Sequence, residues 1–127
     1  MTNSTLMKTK LVLLFAISAC LVFLSCKKDT APKPQITFAN NISQGTADAN
    51  GEYNLTGHLS SQVNLSEVTL TKQGDTSPFL TDATTAKNKN EYDFSYLITG
   101  ISANTTIILD AYDQQGGHTS AQFLIMK

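Results

Sequence analysis

Tyr92-Asp93-Phe94-Ser95-Tyr96-Leu97-Ile98 sets a large apolar or aromatic side chain at every second position. Side chains of an extended strand alternate between two faces, so Tyr92, Phe94, Tyr96 and Ile98 predict one strand with a single buried face. The same period recurs downstream in Ile107, Leu109 and Ala111, and again in Ala121, Phe123 and Ile125. Upstream, Val68 and Leu70 share a face with Leu65 leading in, and Gln73-Gly74-Asp75 turns the chain. Phe79-Leu80, after Pro78, reads as a short edge strand. Tyr53, Leu55, Gly57 and Leu59 are in phase, as are Ile36 and Phe38, while Asn40 to Gly51 reads as a polar loop. No segment beyond residue 35 has a helical period. About seven short strands in about 90 residues, with polar turns between them, predict an all-β, two-sheet antiparallel sandwich. A small closed barrel is the alternative. A parallel sheet would need helical crossovers, and the pattern provides none.

Outside that domain the composition changes. The chain has 127 residues, room for one domain. All nine basic residues are lysines, and Lys8, Lys10, Lys27, Lys28 and Lys33 precede the first strand, which leaves the folded part acidic. A nucleic-acid surface needs clustered Lys and Arg, so that partner is excluded. Lys8 and Lys10 are followed by the apolar run Leu11 to Leu24 and then Ser25-Cys26-Lys27-Lys28-Asp29. Positive charge, a short apolar stretch and small residues at its end are the layout of a secretory signal peptide. At about 14 residues the run is short of the roughly 20 that span a bilayer, although a retained anchor helix is reached if Ser25 and Cys26 are counted in.

Both cysteines, Cys20 and Cys26, fall at or inside this segment, so the exported domain has no disulfide framework. A small residue before Cys at the end of an apolar run resembles the lipobox of bacterial lipoproteins. That resemblance implies a diacylglyceryl group on the thiol and cleavage just before it. Ile17-Ser18-Ala19-Cys20 is the closer match to the commonest lipobox, whereas Phe23-Leu24-Ser25-Cys26 is followed at once by polar sequence. Cleavage at Cys20 would leave Leu21-Val22-Phe23-Leu24 on the mature end. Cys26 is therefore the expected lipidation site. This gives a signal peptide over 1–25, a lipidated Cys and Pro/Lys linker over 26–35, and the domain over 36–127. Stable residence takes more than one acyl chain, which the family's dual modification supplies. Lys27 stands where an inner-membrane retention signal has Asp, so the resemblance implies the outer membrane. Asp29-Thr30-Ala31 also resembles a short bacterial O-glycosylation acceptor, with a plain linker as the alternative.

Within the domain, Gly100-Ile101-Ser102-Ala103-Asn104-Thr105-Thr106-Ile107-Ile108-Leu109-Asp110-Ala111-Tyr112-Asp113-Gln114-Gln115-Gly116-Gly117 resembles the end of bacterial immunoglobulin-like and fibronectin type III-like domains. Leu55-Thr56-Gly57 and Leu65-Ser66-Glu67-Val68-Thr69-Leu70 fit the same pattern. The resemblance implies a single immunoglobulin-like sandwich over 36–127. Two features depart from it: there is no Trp, and no Tyr at the usual corner position. Fold membership does not give function.

The chemistry reads mostly as exclusion. His58 shares a side with Ser60, away from Leu55 and Leu59, and His118 lies in a hairpin; neither reads as catalytic. No nucleophile elbow, H-E-x-x-H or phosphate loop is present, so no catalytic residue, cofactor or metal is assigned and an enzyme is not expected. Asp110 and Asp113, with Asp48, Glu52 and Glu67, are the candidate calcium carboxylates, but Asp113 reads instead as a turn cap. Tyr53, Tyr92 and Tyr96 fall on the inward phase. Tyr112, Ile108, Leu97 and Leu124 face outward and form one candidate binding patch if their strands adjoin. The expected role is a non-enzymatic, lipid-anchored envelope module for adhesion, assembly or spacing. The alternative is an accessory glycan- or ligand-binding lipoprotein of a nutrient-uptake system.

Overall fold

The computed structural model describes residues 32–127. The expected signal peptide over 1–25, Cys20, Cys26 and the expected linker up to residue 31 lie outside the described residues. Eight strands follow one another: β1 Gln35–Phe38, β2 Gln44–Thr46, β3 Tyr53–Ser60, β4 Leu65–Lys72, β5 Leu80–Asp82, β6 Glu91–Ile98, β7 Thr105–Asp113 and β8 His118–Met126. They form a three-stranded sheet, β1-β3-β6, and a five-stranded sheet, β2-β8-β7-β4-β5. The two ladders do not join, which selects the sandwich over the closed barrel.

The alternation that predicts β6 is seen as burial. Phe94, Tyr96 and Ile98 are buried, while Asp93, Ser95 and Leu97 are exposed. β7 repeats it with Ile107, Leu109, Ala111 and Asp113 buried. Leu55, Leu59, Val68, Leu70, Ile107, Leu109 and Ile125 have no exposed surface at all. Each such side chain contributes about 1.5–3 kcal/mol relative to exposure, against the chain entropy that folding removes. The aromatic residues close the core between the sheets. Phe38 meets Phe123 edge-on at 5.0 Å, and Phe94 stacks on Tyr96 at 5.6 Å.

The strand count exceeds the expected seven because β2 lies in the stretch read as a loop. Gln44-Gly45-Thr46 is too short and too polar to show a period of two, yet it pairs parallel with Leu124–Met126. Gly45 is required there, because a Cβ would fall inside the ring of Tyr53. Between β1 and β2 the chain passes from one sheet to the other through Ala39–Asn41. Asn40 and Asn41 both adopt left-handed backbone conformations, with φ of 58° and 55°.

Registers and loop contacts sort the loops between two ends. Residues 61–64, 83–90 and 114–117 share one end, tied by Leu65 N–H to Lys89 O, Asn88 N–H to Leu65 O and Gln114 N–H to Asn64 O. The chain enters at this end, where Pro34 is buried and its carbonyl accepts from Thr119 Oγ1 at 2.5 Å. Residues 47–52, 73–79 and 99–104 share the other end with the C-terminus. There Ile101 N–H donates to Gly51 O, and Lys127 Nζ donates to the carbonyls of Asp48 and Ala49.

Candidate functional site

Tyr112, Ile108 and Leu124 come to one surface, the outer face of the five-stranded sheet. In the β7–β8 register Tyr112 lies opposite His118, Ile108 opposite Gln122, and Thr106 opposite Leu124. Ile108 and Leu124 are thus diagonal neighbours, and Asp110 separates Ile108 from Tyr112 along the strand. Leu97 does not join them. It lies on β6, in the other sheet, opposite Asn54 and 57 % exposed. The connection over 99–104 crosses between sheets, so segments adjacent in sequence present their outward residues to opposite sides. The four-residue patch is therefore two surfaces.

The ring of Tyr112 stacks on His118, with centroids 4.5 Å apart and planes within 8°. Burial, and then the carboxylates of Asp110 and Glu67, hold its hydroxyl above the ordinary tyrosine pKa. Asp110 Oδ1 accepts from His118 Nε2 at 2.8 Å and from Ser120 Oγ at 2.5 Å. Serine, histidine and aspartate meet, but with the carboxylate at the centre. The Ser120 hydroxyl donates to Asp110, and the same carboxylate occupies His118 Nε2. A nucleophilic serine needs the imidazole between itself and the carboxylate, taking the hydroxyl proton. The arrangement braces β7 against β8.

Asp113 caps the β7–β8 hairpin. Its Oδ1 accepts from the N–H groups of Gln115 and Gly117 at 2.8 and 2.7 Å. Asp48 closes its own turn in the same way, accepting from Asn50 and Glu52 N–H. Asp48, Asp110 and Asp113 thus serve separate turns and pairs. Among the described residues no group of three or more His, Cys, Asp or Glu is placed to hold a metal ion.

Two polar clusters were not visible in the sequence. Asp82, buried at the end of β5, accepts from Tyr96 Oη at 2.9 Å, from Thr85 Oγ1 and from the N–H groups of Thr84 and Thr85. Burial pushes its carboxyl up, but these donors together outweigh it and leave the pKa at about 2. On the outer face of the three-stranded sheet, His58 Nδ1 lies 2.6 Å from Asp93 and Nε2 lies 2.5 Å from Glu91. A nitrogen that bonds a carboxylate carries a proton, so the ring makes both bonds as an imidazolium. The bonds to Asp93 and Glu91 raise its pKa above the ordinary histidine value. The only signal in the sequence was the outward phase of all three residues, which becomes a contact once β3 and β6 are known to pair.

Shallow grooves lie on either side of that ring. One, of ≈ 430 Å³, runs past Lys33, Ser60, Gln62 and Glu91. The other, of ≈ 460 Å³, is lined by Thr37, Asn40, Asn41, Thr56, His58 and Asp93.

No protein-family model matches the chain. No curated protein matches it either. Among solved structures, it is similar to the fibronectin(III)-like modules of Clostridium thermocellum CbhA, with 20 % identity and a TM-score of 0.52 over 77 % of this chain. The fold is that of an immunoglobulin-like or fibronectin type III-like module. At that identity the likeness carries the fold alone. The chain spans about half the length of the structure it matches, 48 % of it.

Proposed function

We propose that the protein is a lipid-anchored cell-envelope protein, held in the outer membrane through Cys26, whose sandwich is a non-catalytic adhesion, assembly or spacer module. The observation that carries the non-catalytic reading is the hub position of Asp110. The one Ser–His–Asp meeting among the described residues leaves Ser120 without a base. The fold supports it too, as a sandwich of this kind is a connecting and binding scaffold on which chemistry has to be added. The anchor rests on the sequence alone: a basic lead, a short apolar run and Ser25-Cys26 before a polar linker.

The described chain enters the sandwich beside Pro34, and the loops at 47–52, 73–79 and 99–104 lie at the opposite end of the sandwich. They and the Tyr112–Ile108–Leu124 face are surfaces open to a partner of the module. A glycan partner at Tyr112 is disfavoured, because His118 already covers one face of its ring. The second reading, an accessory glycan- or ligand-binding lipoprotein, draws its support from the groove beside His58.

Metabolic labelling with palmitate tests the anchor. Label should enter the wild type and the Cys20→Ala variant and be lost from Cys26→Ala. Loss in Cys20→Ala with retention in Cys26→Ala would move the site, and no label in any of the three would remove the anchor.

A further inference from the structure

We infer that Asn50–Gly51 is a self-modification site: opening of the 47–52 turn lets it deamidate, and the isoaspartyl product keeps the turn open. The proposal goes beyond the module reading above and depends on neither the lipid nor a partner. Asn50 is the one asparagine in the chain that glycine follows. The backbone nitrogen of Gly51 attacks the side-chain carbonyl carbon of Asn50, and a five-membered succinimide forms. The bond from that carbon to the amide nitrogen breaks, and ammonia leaves with the proton of the Gly51 N–H. Water then adds to either ring carbonyl and leaves an aspartyl or an isoaspartyl residue at position 50. Glycine permits the attack because no side chain shields its nitrogen.

The folded turn withholds the nucleophile rather than the target. Asn50 is exposed, but Gly51 is buried and its N–H donates to Asp48 O at 3.0 Å. The Asp48 carboxylate fixes the peptide groups on either side, with Oδ1 accepting from Asn50 N–H and Glu52 N–H at 2.9 Å each. Lys127 Nζ holds the carbonyls of Asp48 and Ala49, and Gly51 O accepts from Ile101 N–H at 3.0 Å. Turning the Gly51 nitrogen toward the Asn50 side chain breaks its bond to Asp48 O. The rate is therefore set by local opening of this turn, and not by the exposure of Asn50. The isoaspartyl product cannot return to the same bonds. It adds one carbon to the main chain, beside a glycine on which a Cβ would already lie 2.5 Å from Ile101 O. Its free carboxylate also falls between those of Asp48 and Glu52. The reaction thus frees 47–52 from 99–104 and makes an occasional opening permanent.

The full chain in detergent should be aged at mildly alkaline pH, folded and in urea. Peptide mass spectrometry and isoaspartyl methyltransferase labelling then read the conversion. It is expected at Asn50, about a hundredfold slower in the folded chain than in urea. Asp48→Ala, which frees the Asn50 and Glu52 N–H groups, should speed the folded chain about tenfold. Gly57→Ala crowds Phe94 and Thr37 O in the middle of β3, and while folded it should age as the wild type does. Asn50→Gln should not react, because its ring would need six atoms. In the isoaspartyl product the amide NMR signals of Gly51 and Ile101 should shift, and that of His58 should stay. Equal rates folded and in urea, or a wild-type rate in Asp48→Ala, would overturn the proposal. So would a rate in Gly57→Ala raised as far as that of Asp48→Ala, or an unmoved Ile101 signal in the isoaspartyl product.

Discussion

Two residues set the pH response of the domain, in opposite directions. His58 has a folded pKa raised by its bonds to Asp93 and Glu91. Its contribution to stability is complete below the ordinary histidine pKa and is lost as pH rises through the raised folded value. The ring is nearly half exposed, 45 % by side chain, so the effect is that of a surface pair, no more than about 1 kcal/mol. Melting curves of the wild type and His58→Gln should differ most below the ordinary histidine pKa and converge as pH rises through the raised folded value. A difference that grows with pH would contradict the pairing. Asp82 works the other way. Its folded pKa of about 2 lies below the ordinary aspartate value of 3.8, so its stabilisation is present above that value and is lost as pH falls through about 2. Asp82→Ala also strips a partner from the buried Tyr96 hydroxyl, and urea unfolding should show a loss of about 2–4 kcal/mol. A loss under about half a kcal/mol would show that water replaces the carboxylate there.

At the scale of the element, the close approaches of β3 decide most. Gly57 faces the core opposite Phe94, and a Cβ there would sit 2.4 Å from both the Phe94 ring and the carbonyl of Thr37. The carbonyl cannot move without breaking the β1–β3 ladder. Gly57→Ala should therefore cost about 1–3 kcal/mol, read as a lower denaturation midpoint at unchanged slope. An unchanged midpoint would mean that β1 shifts freely. The long strands were legible in the sequence because Leu55 and Leu59, Phe94 and Ile98, and Ile107 and Leu109 each repeat at a period of two beside polar neighbours. β2 was not, since Gln44 and Thr46 flank a glycine whose purpose, room for Tyr53, depends on a contact across the sheet. Neither was the placement of β6 and β7 in different sheets. Alternation shows which side chains of one strand share a face, but not which strands are neighbours, so it cannot separate Leu97 on β6 from Ile108 and Tyr112 on β7. The groove was hidden for the same cause. Thr37, Asn40 and Asp93 are ordinary polar residues until the register sets Thr37 beside His58 and His58 beside Asp93.

The sandwich is held by one core, with no disulfide among the described residues and with turn caps at Asp48 and Asp113. The buried Pro34 and its bond to Thr119 fix where the chain enters the sandwich. Truncation before residue 32 should leave the folded domain with a melting temperature near that of the full chain, while a deletion that removes Gln35–Phe38 should unfold it, since β1 covers β3 and Phe38 packs on Phe123. The account as a whole depends on Cys26, and intact-mass and N-terminal analysis of the mature protein from envelope fractions addresses it most directly. The expected species begins at Cys26 and carries diacylglyceryl and acyl groups, with residues 1–25 absent. A mature chain that begins at Cys20, or one that keeps residues 1–25 without lipid, would contradict it.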